Sequence, residues 1–261
     1  MNINQGKKQR ARRTLLYGVH GVGKSKWAAS APHVCFLNME DGLDDIDCAS
    51  TDLIASHKGL MESLRFFSDQ KHDFRYLAID AVDWLEKVIH KEVAKESGKE
   101  SIADIGYGAG YKQAMAKWDK VLFALEWLRK EMDMGIILLA HCDIKTFQSP
   151  EQESYDRYQP ALHPLAAAML QEWCDEVLFA SYRVFTRKED QGFNKERNIA
   201  MGDGERYIRT REAPAMLAKN RLDLPDELPM PKENGFAEYT RYFRSAGNID
   251  GTVVDGSSKQ K

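Results

Sequence analysis

Eight consecutive residues, Gly18-Val19-His20-Gly21-Val22-Gly23-Lys24-Ser25, fit the pattern G-x-x-x-x-G-K-[ST]. Glycines at these places let successive backbone N–H groups turn inward on phosphate oxygens, where larger residues would block them. Lys24 is placed to reach the β- and γ-phosphates of a nucleoside triphosphate, and the Ser25 hydroxyl to bind Mg²⁺. The segment from Gly18 through Lys26 is therefore the expected polyphosphate cradle. A decorative glycine turn is the alternative, but the flanks disfavour it, because an apolar run precedes the glycines and a helical pattern follows.

Other acidic and polar residues could complete such a site. Asp80 closes the apolar run Tyr76-Leu-Ala-Ile-Asp80, so it would stand at the carboxyl edge of a sheet and hold the Mg²⁺ water shell. Asp83, one turn on, is a second choice for that role, and helix capping is the plain alternative for Asp80. Glu40 ends Leu37-Asn-Met-Glu40 and could orient or deprotonate an attacking water, with Asp41 as its competitor. His141 ends the run Gly135-Ile-Ile-Leu-Leu-Ala140 and could hydrogen-bond a γ-phosphate, although a lone histidine is as often structural. His141 and Cys142 have no companions at metal-ligand spacing.

The elements that must position these groups are legible as apolar runs. Thr14–Tyr17, Val34–Asn38, Tyr76–Asp80, Gly135–Ala140 and Val177–Ala180 read as buried strands, with Asp52–Ala55 as a weaker sixth. Helical spacing follows in Leu60/Leu64/Phe67, in Trp84/Leu85/Val88/Ile89/Val93, and in the long stripe from Tyr111 to Met132. A helix over about His163–Trp173 is also expected. Apolar strands alternating with helices imply an α/β fold, a mostly parallel sheet covered on both faces. Ser97–Gly110, rich in glycine, reads as a mobile loop, and the polar Asp143–Pro160 stretch as another. Arg183–Thr186 and Arg206–Thr210, around Gly202-Asp-Gly204, read as a long C-terminal hairpin. The expected division is a basic arm over 1–13, an ATPase domain over 14–229 and a largely disordered tail over 230–261.

Composition bounds the rest. With 43% hydrophobic residues in 261, the chain can bury one full core, and no stretch approaches the roughly 20 apolar residues of a membrane helix. The N-terminus lacks a secretory apolar segment and the four cysteines form no CxxC pair, so a cytoplasmic protein without a membrane partner is expected. The net charge of −3 hides a run of Lys7, Lys8, Arg10, Arg12 and Arg13 that could contact nucleic-acid phosphates or simply be solvated.

Taken together, the cradle, Asp80, Glu40 and His141 resemble the RecA/KaiC-like branch of P-loop ATPases. Within it they look most like phage-encoded ATP-binding proteins of the Sak type, which are single-strand annealing recombinases. The resemblance spans about Thr14 to Pro229. It implies a RecA-like core, ATP and Mg²⁺ as cofactors, and catalytic roles for Lys24, Glu40 and His141. It also implies single-stranded DNA as partner, a homo-oligomeric ring or filament, and a single-strand-binding protein as a possible recruiter. In a phage-encoded protein the setting would be the host cytoplasm. By position, Ser101–Gly110 and Asp143–Pro160 match the family's two DNA loops, with Lys145, Phe147, Arg157 and Tyr158 as the groups that would stack on bases and pair with phosphates. Ala218-Lys219-Asn220-Arg221 resembles a segment whose cations reach the ATP of a neighbouring subunit, which makes Lys219 and Arg221 candidate trans fingers. A nucleotide switch or motor acting on protein partners, in packaging or helicase loading, is the rival reading. A small-molecule kinase fits less well, because no compact lid is visible.

Overall fold

The computed structural model describes residues 10–149, 153–190, 196–201 and 204–243. Lys7, Lys8, Glu151 and everything from residue 244 onward lie outside the described residues.

The chain opens with strand β1 (Arg13–Gly18), which runs into the glycine turn and helix α1 (Lys24–Ala29). Next come β2 (Val34–Asn38), the two-residue β3 (Ala49–Ser50), α2 (His57–Asp69), β4 (Tyr76–Asp80) and α3 (Val82–Glu96). The long α4 (Ala109–Glu131) leads into β5 (Gly135–Phe147), β6 (Tyr155–Pro160), α5 (Pro164–Trp173) and β7 (Glu176–Tyr182). A hairpin of β8 (Phe185–Asp190) and β9 (Glu196–Met201) precedes β10 (Arg206–Arg209), β11 (Glu227–Pro229) and α6 (Gly235–Thr240).

Among the described residues, nine strands form one sheet in the order β11-β10-β7-β1-β5-β4-β2-β3, with β6 paired to β5 beyond the main path. β1 lies between β5 and β7 and is parallel to both, as β4 is to β5 and β2. Alternate strand residues therefore feed two cores. Leu15, Tyr17, Leu77, Ile79, Ile136 and Leu138 face α2 to α5. Leu16, Ala78, Ile137, Leu139 and Leu178 face α1 and α6. Strands buried on both faces explain the unbroken apolar runs in the sequence. In α4 the expected stripe is buried from Trp118 to Leu128, whereas Met132 lies past the helix end and is exposed.

Several expectations change. Asp52–Ala55 is not a strand, because β2 takes Ala49–Ser50 as its edge partner and Ile54 is buried as a single apolar anchor. Ser97–Gly110 is less a free loop than a pair of short 3₁₀ turns, Ile102–Asp104 and Gly106–Gly108, anchored by buried Ile102. Gly110 already belongs to α4 and packs so closely that a Cβ there would come within 2.7 Å of the Ile102 carbonyl oxygen.

Asp143–Pro160 is a hairpin arm rather than a loop: β5 runs on past the sheet and pairs antiparallel with β6. Its mixture of polar and apolar residues is that of a two-stranded ribbon with one face covered and the other wet, which a search for buried runs overlooks. The long hairpin expected from Arg183 to Thr210 is split. β8 pairs with β9, while β10 returns to the main sheet antiparallel to β7.

The tail assigned to 230–261 contains packed structure up to Phe243. Phe236 of α6 meets the rings of Trp27 and Tyr76, both at 5.0 Å, and buried Tyr239 shares hydrogen bonds with Thr14 and Glu176. At the other end, Arg12 and Arg13 of the basic run are tied down by Glu176, and by Asp175 and Glu126, respectively.

Candidate nucleotide site

Three parallel strands, β1, β5 and β4, bring Gly18, His141 and Asp80 to one edge of the sheet, β5 running on beyond it. Gly18 lies opposite His141, and Asp80 lies opposite Leu139 one strand further. Gly18 must be glycine for packing reasons: a Cβ there would lie 2.1 Å from the Ala180 carbonyl oxygen on β7. Gly23 is fixed by conformation, with φ at +93°, in the left-handed region that side chains rarely adopt.

Behind this turn Lys24 is buried, and its ammonium donates to the carbonyl oxygens of Gly18 and Val19 at 3.2 and 3.3 Å. Burial lowers its pKa, opposed by the nearby carboxylates of Asp80, Glu40 and Asp83. Burial pushes the Asp80 carboxyl above the usual carboxylate range, and the Ser25 hydroxyl beside it draws it partly back. A buried carboxyl and a hydroxyl lining the same cleft are an all-oxygen donor set suited to a hard divalent cation, so the residues present fit Mg²⁺. Cations as a class favour the charged carboxylate, opposing the shift that burial imposes.

Glu40 enters from the segment after β2. Its carboxyl is also raised, chiefly by burial, and its Oε1 stands 3.5 Å from His141 Nε2. His141 is held from behind by Asp83, which accepts from its backbone N–H and faces Nδ1, both at 3.0 Å. The bond to Asp83 raises the His141 pKa against the effect of desolvation. For Asp83 itself, burial pushes upward, but the two hydrogen bonds from His141 outweigh it and hold the carboxyl below its ordinary value. Asp83, the second choice for the metal, is thus committed to the histidine. His20 of the cradle stacks on His141 with ring centroids 4.5 Å apart.

Gly21, Gly23, Lys24, Ser25, Lys26, Glu40, Asp80 and His141 all line one cleft of about 830 Å³, within the usual range for a small-molecule site. Two residues in its wall carried no signal in the sequence. Tyr182 ends β7 and donates to the Gly21 carbonyl at 2.7 Å, and Arg206 begins β10 and donates to the Val22 carbonyl at 2.9 Å. They arrive there only because β10 pairs antiparallel with β7, a long-range event that no local motif announces.

The remaining candidates lie elsewhere. Lys219 bridges to Val177 through the backbone and its ammonium donates to the Gln171 carbonyl, while Arg221 pairs with Asp175 at 3.3 Å. Asp175 immediately precedes β7, at the opposite end of the strands from Gly18. Asp175 aligns with Arg13, and the five-residue offset from there to Gly18 along β1 amounts to roughly 17 Å. Neither cation is part of the cradle. On the β5–β6 arm, Arg157 is buried, paired with Glu212 at 3.1 Å and 4.8 Å from the Phe147 ring centre. Tyr158 stacks on Phe179, and Lys145 donates to the Leu162 carbonyl. These side chains are engaged at the root of the arm rather than displayed on it.

A glycine cradle with an embedded lysine, set at the carboxyl edge of a mostly parallel sheet and faced by an acid on the next strand but one, defines a P-loop nucleotide-binding ATPase. The chain belongs to the AAA domain family, whose model matches residues 10–222. No curated protein matches it. Among the described residues, no helix is long and apolar enough to cross a membrane.

Proposed function

We propose that the protein is a Mg²⁺-dependent ATPase that acts on single-stranded DNA, promoting annealing or recombination as a homo-oligomer. The observation that carries the ATPase part is the convergence of Lys24, Ser25, Asp80, Glu40 and His141 on one cleft. Lys24 neutralises charge on the β- and γ-phosphates, and Ser25 and Asp80 hold the metal. Magnesium, when bound, withdraws charge from the phosphate oxygens. Glu40 accepts the proton of the attacking water as the γ-phosphoryl group passes to it, leaving ADP and phosphate. His141, locked by Asp83, orients Glu40 and offers a donor to the γ-phosphate.

The resemblance of the motifs to annealing recombinases supports DNA as the partner. The distance of Lys219 and Arg221 from their own cradle supports a site completed by a neighbouring subunit, since a role on ATP is open to them only in trans. The engaged state of Lys145, Arg157 and Tyr158 favours a second reading, a nucleotide-driven switch or motor working on protein partners. ATP turnover with and without single-stranded DNA, combined with a salt titration of binding, separates the two. Strong stimulation and steep salt dependence are expected for the DNA reading, and indifference to DNA sinks it.

A further inference from the structure

Arg206 and Tyr182 hold two successive peptide carbonyls of the cradle, those of Val22 and Gly21. The Arg206 guanidinium lies directly against the loop, so close that a Cβ on Gly23 would meet its Nη1 at 2.4 Å. A guanidinium has five N–H donors in one plane, and the bond to Val22 uses only one of its nitrogens. That planar fork matches the geometry of a phosphate group.

The charge distribution across the cleft sharpens this. The flank formed by β2, β4 and β5 supplies Glu40, Asp80 and His141, two of them carboxyls. The opposite flank, from β7, β10 and the segment after β11, supplies Tyr182, Arg206 and Lys232, with Glu233 beside them. A polyphosphate is repelled by the carboxyl flank wherever no cation intervenes, so its anionic length is drawn toward the guanidinium. The carbonyl of Arg206 is itself fixed by the Met230 N–H at 3.0 Å, so the residue projects from a paired strand and not from a free loop.

We propose that Arg206 is a phosphate-binding residue acting in cis: it donates to the polyphosphate of a nucleoside di- or triphosphate bound in the same chain's cleft, opposite Glu40. The assignment rests on reading the cleft as the ATP site. It gives each subunit a cation of its own, independent of any delivered by a neighbour.

The test uses the full chain and titrates ADP and ATP, with Mg²⁺, into wild type, Arg206→Ala, Arg206→Lys, Tyr182→Phe and Lys24→Ala, each first shown to melt cooperatively. Arg206→Ala is expected to weaken both nucleotides by roughly 10- to 100-fold, the loss of a charge-assisted contact. Its salt dependence of binding should be shallower than that of wild type. Arg206→Lys should restore part of the affinity, because the charge returns without the fork. If Arg206 served only to brace the loop, Tyr182→Phe would weaken binding equally and the salt dependence of Arg206→Ala would stay at the wild-type value; that pair of results overturns the proposal. Full affinity in Arg206→Ala with binding lost in Lys24→Ala also overturns it, while leaving the ATP site standing. Full affinity in Lys24→Ala as well would instead show that the cleft is not the ATP site. Should Arg206→Ala fail to fold, Arg206→Lys carries the decision: unchanged affinity for both nucleotides refutes the fork.

Discussion

Replacing Asp83 by Asn tests the chain of contacts behind Glu40. Asp83 is nearly buried, with 6% of its side chain exposed, and both its oxygens are used on His141. Asparagine has nearly the same shape and keeps one acceptor for the His141 backbone N–H, but it removes the charge. A hydrogen bond to a charged partner contributes about 1.5–3 kcal/mol and a neutral one about 0.5–1.5, so the ring loses about 1–1.5 kcal/mol of hold on its charged form. If that form is what orients Glu40, turnover at pH 8 should drop about tenfold. The sign follows from the shift: Asp83 raises the His141 pKa, so the imidazolium persists to higher pH in wild type. In the variant the alkaline limb of the rate profile should therefore move to lower pH, with ATP affinity little changed. Steady-state turnover between pH 5.5 and 9, with nucleotide affinity measured in parallel, reads both. A profile superimposable on wild type, with turnover within twofold, would refute the relay.

Further outcomes are expected. Lys24→Ala should reduce turnover by on the order of 10²–10³, as measured by phosphate release. Phe236→Ala should cost about 3–5 kcal/mol in denaturant unfolding, because its ring fills the space between Trp27 and Tyr76. Glu86, buried at the foot of α5, has its pKa raised to about 7 by desolvation. The fold thus prefers the neutral carboxyl, and the associated stability is complete below about 4.5 and lost as pH rises to about 7. Glu86→Gln should abolish that slope and leave the variant relatively more stable at pH 8, by up to about 3 kcal/mol. Arg221→Ala should lower turnover with ATP affinity intact, and mixing it with Lys24→Ala subunits should restore activity if the arginine acts in trans.

The portion of the site legible in sequence is the portion written by strand ends. A strand buried on both faces shows as an apolar run, and whatever polar residue closes it must emerge at the sheet edge; Asp80 and His141 were found in that way, and Glu40 two residues past β2. Arg206 and Tyr182 follow no such rule. Their place depends on an antiparallel return of the chain after β9, and a short polar strand preceded by Gly202-Asp-Gly204 looks the same whether it closes a hairpin or rejoins a sheet. The β5–β6 arm reads as a polar loop in sequence because a half-exposed ribbon mixes polar and apolar residues and lacks a buried run. α6 leaves no mark within its polar surroundings because six residues are too few for helical periodicity to register; only its contacts with Trp27 and Tyr76 give Phe236 a reason to be aromatic.

His141 sits where β5 leaves the sheet, on a strand that continues without interruption to Phe147. Six residues of extended chain span roughly 20 Å from that point to Phe147. The strand that carries the imidazole facing Glu40 thus runs unbroken into a paired arm, and Leu162, Glu212 and Phe179 fasten that arm back to the body of the domain.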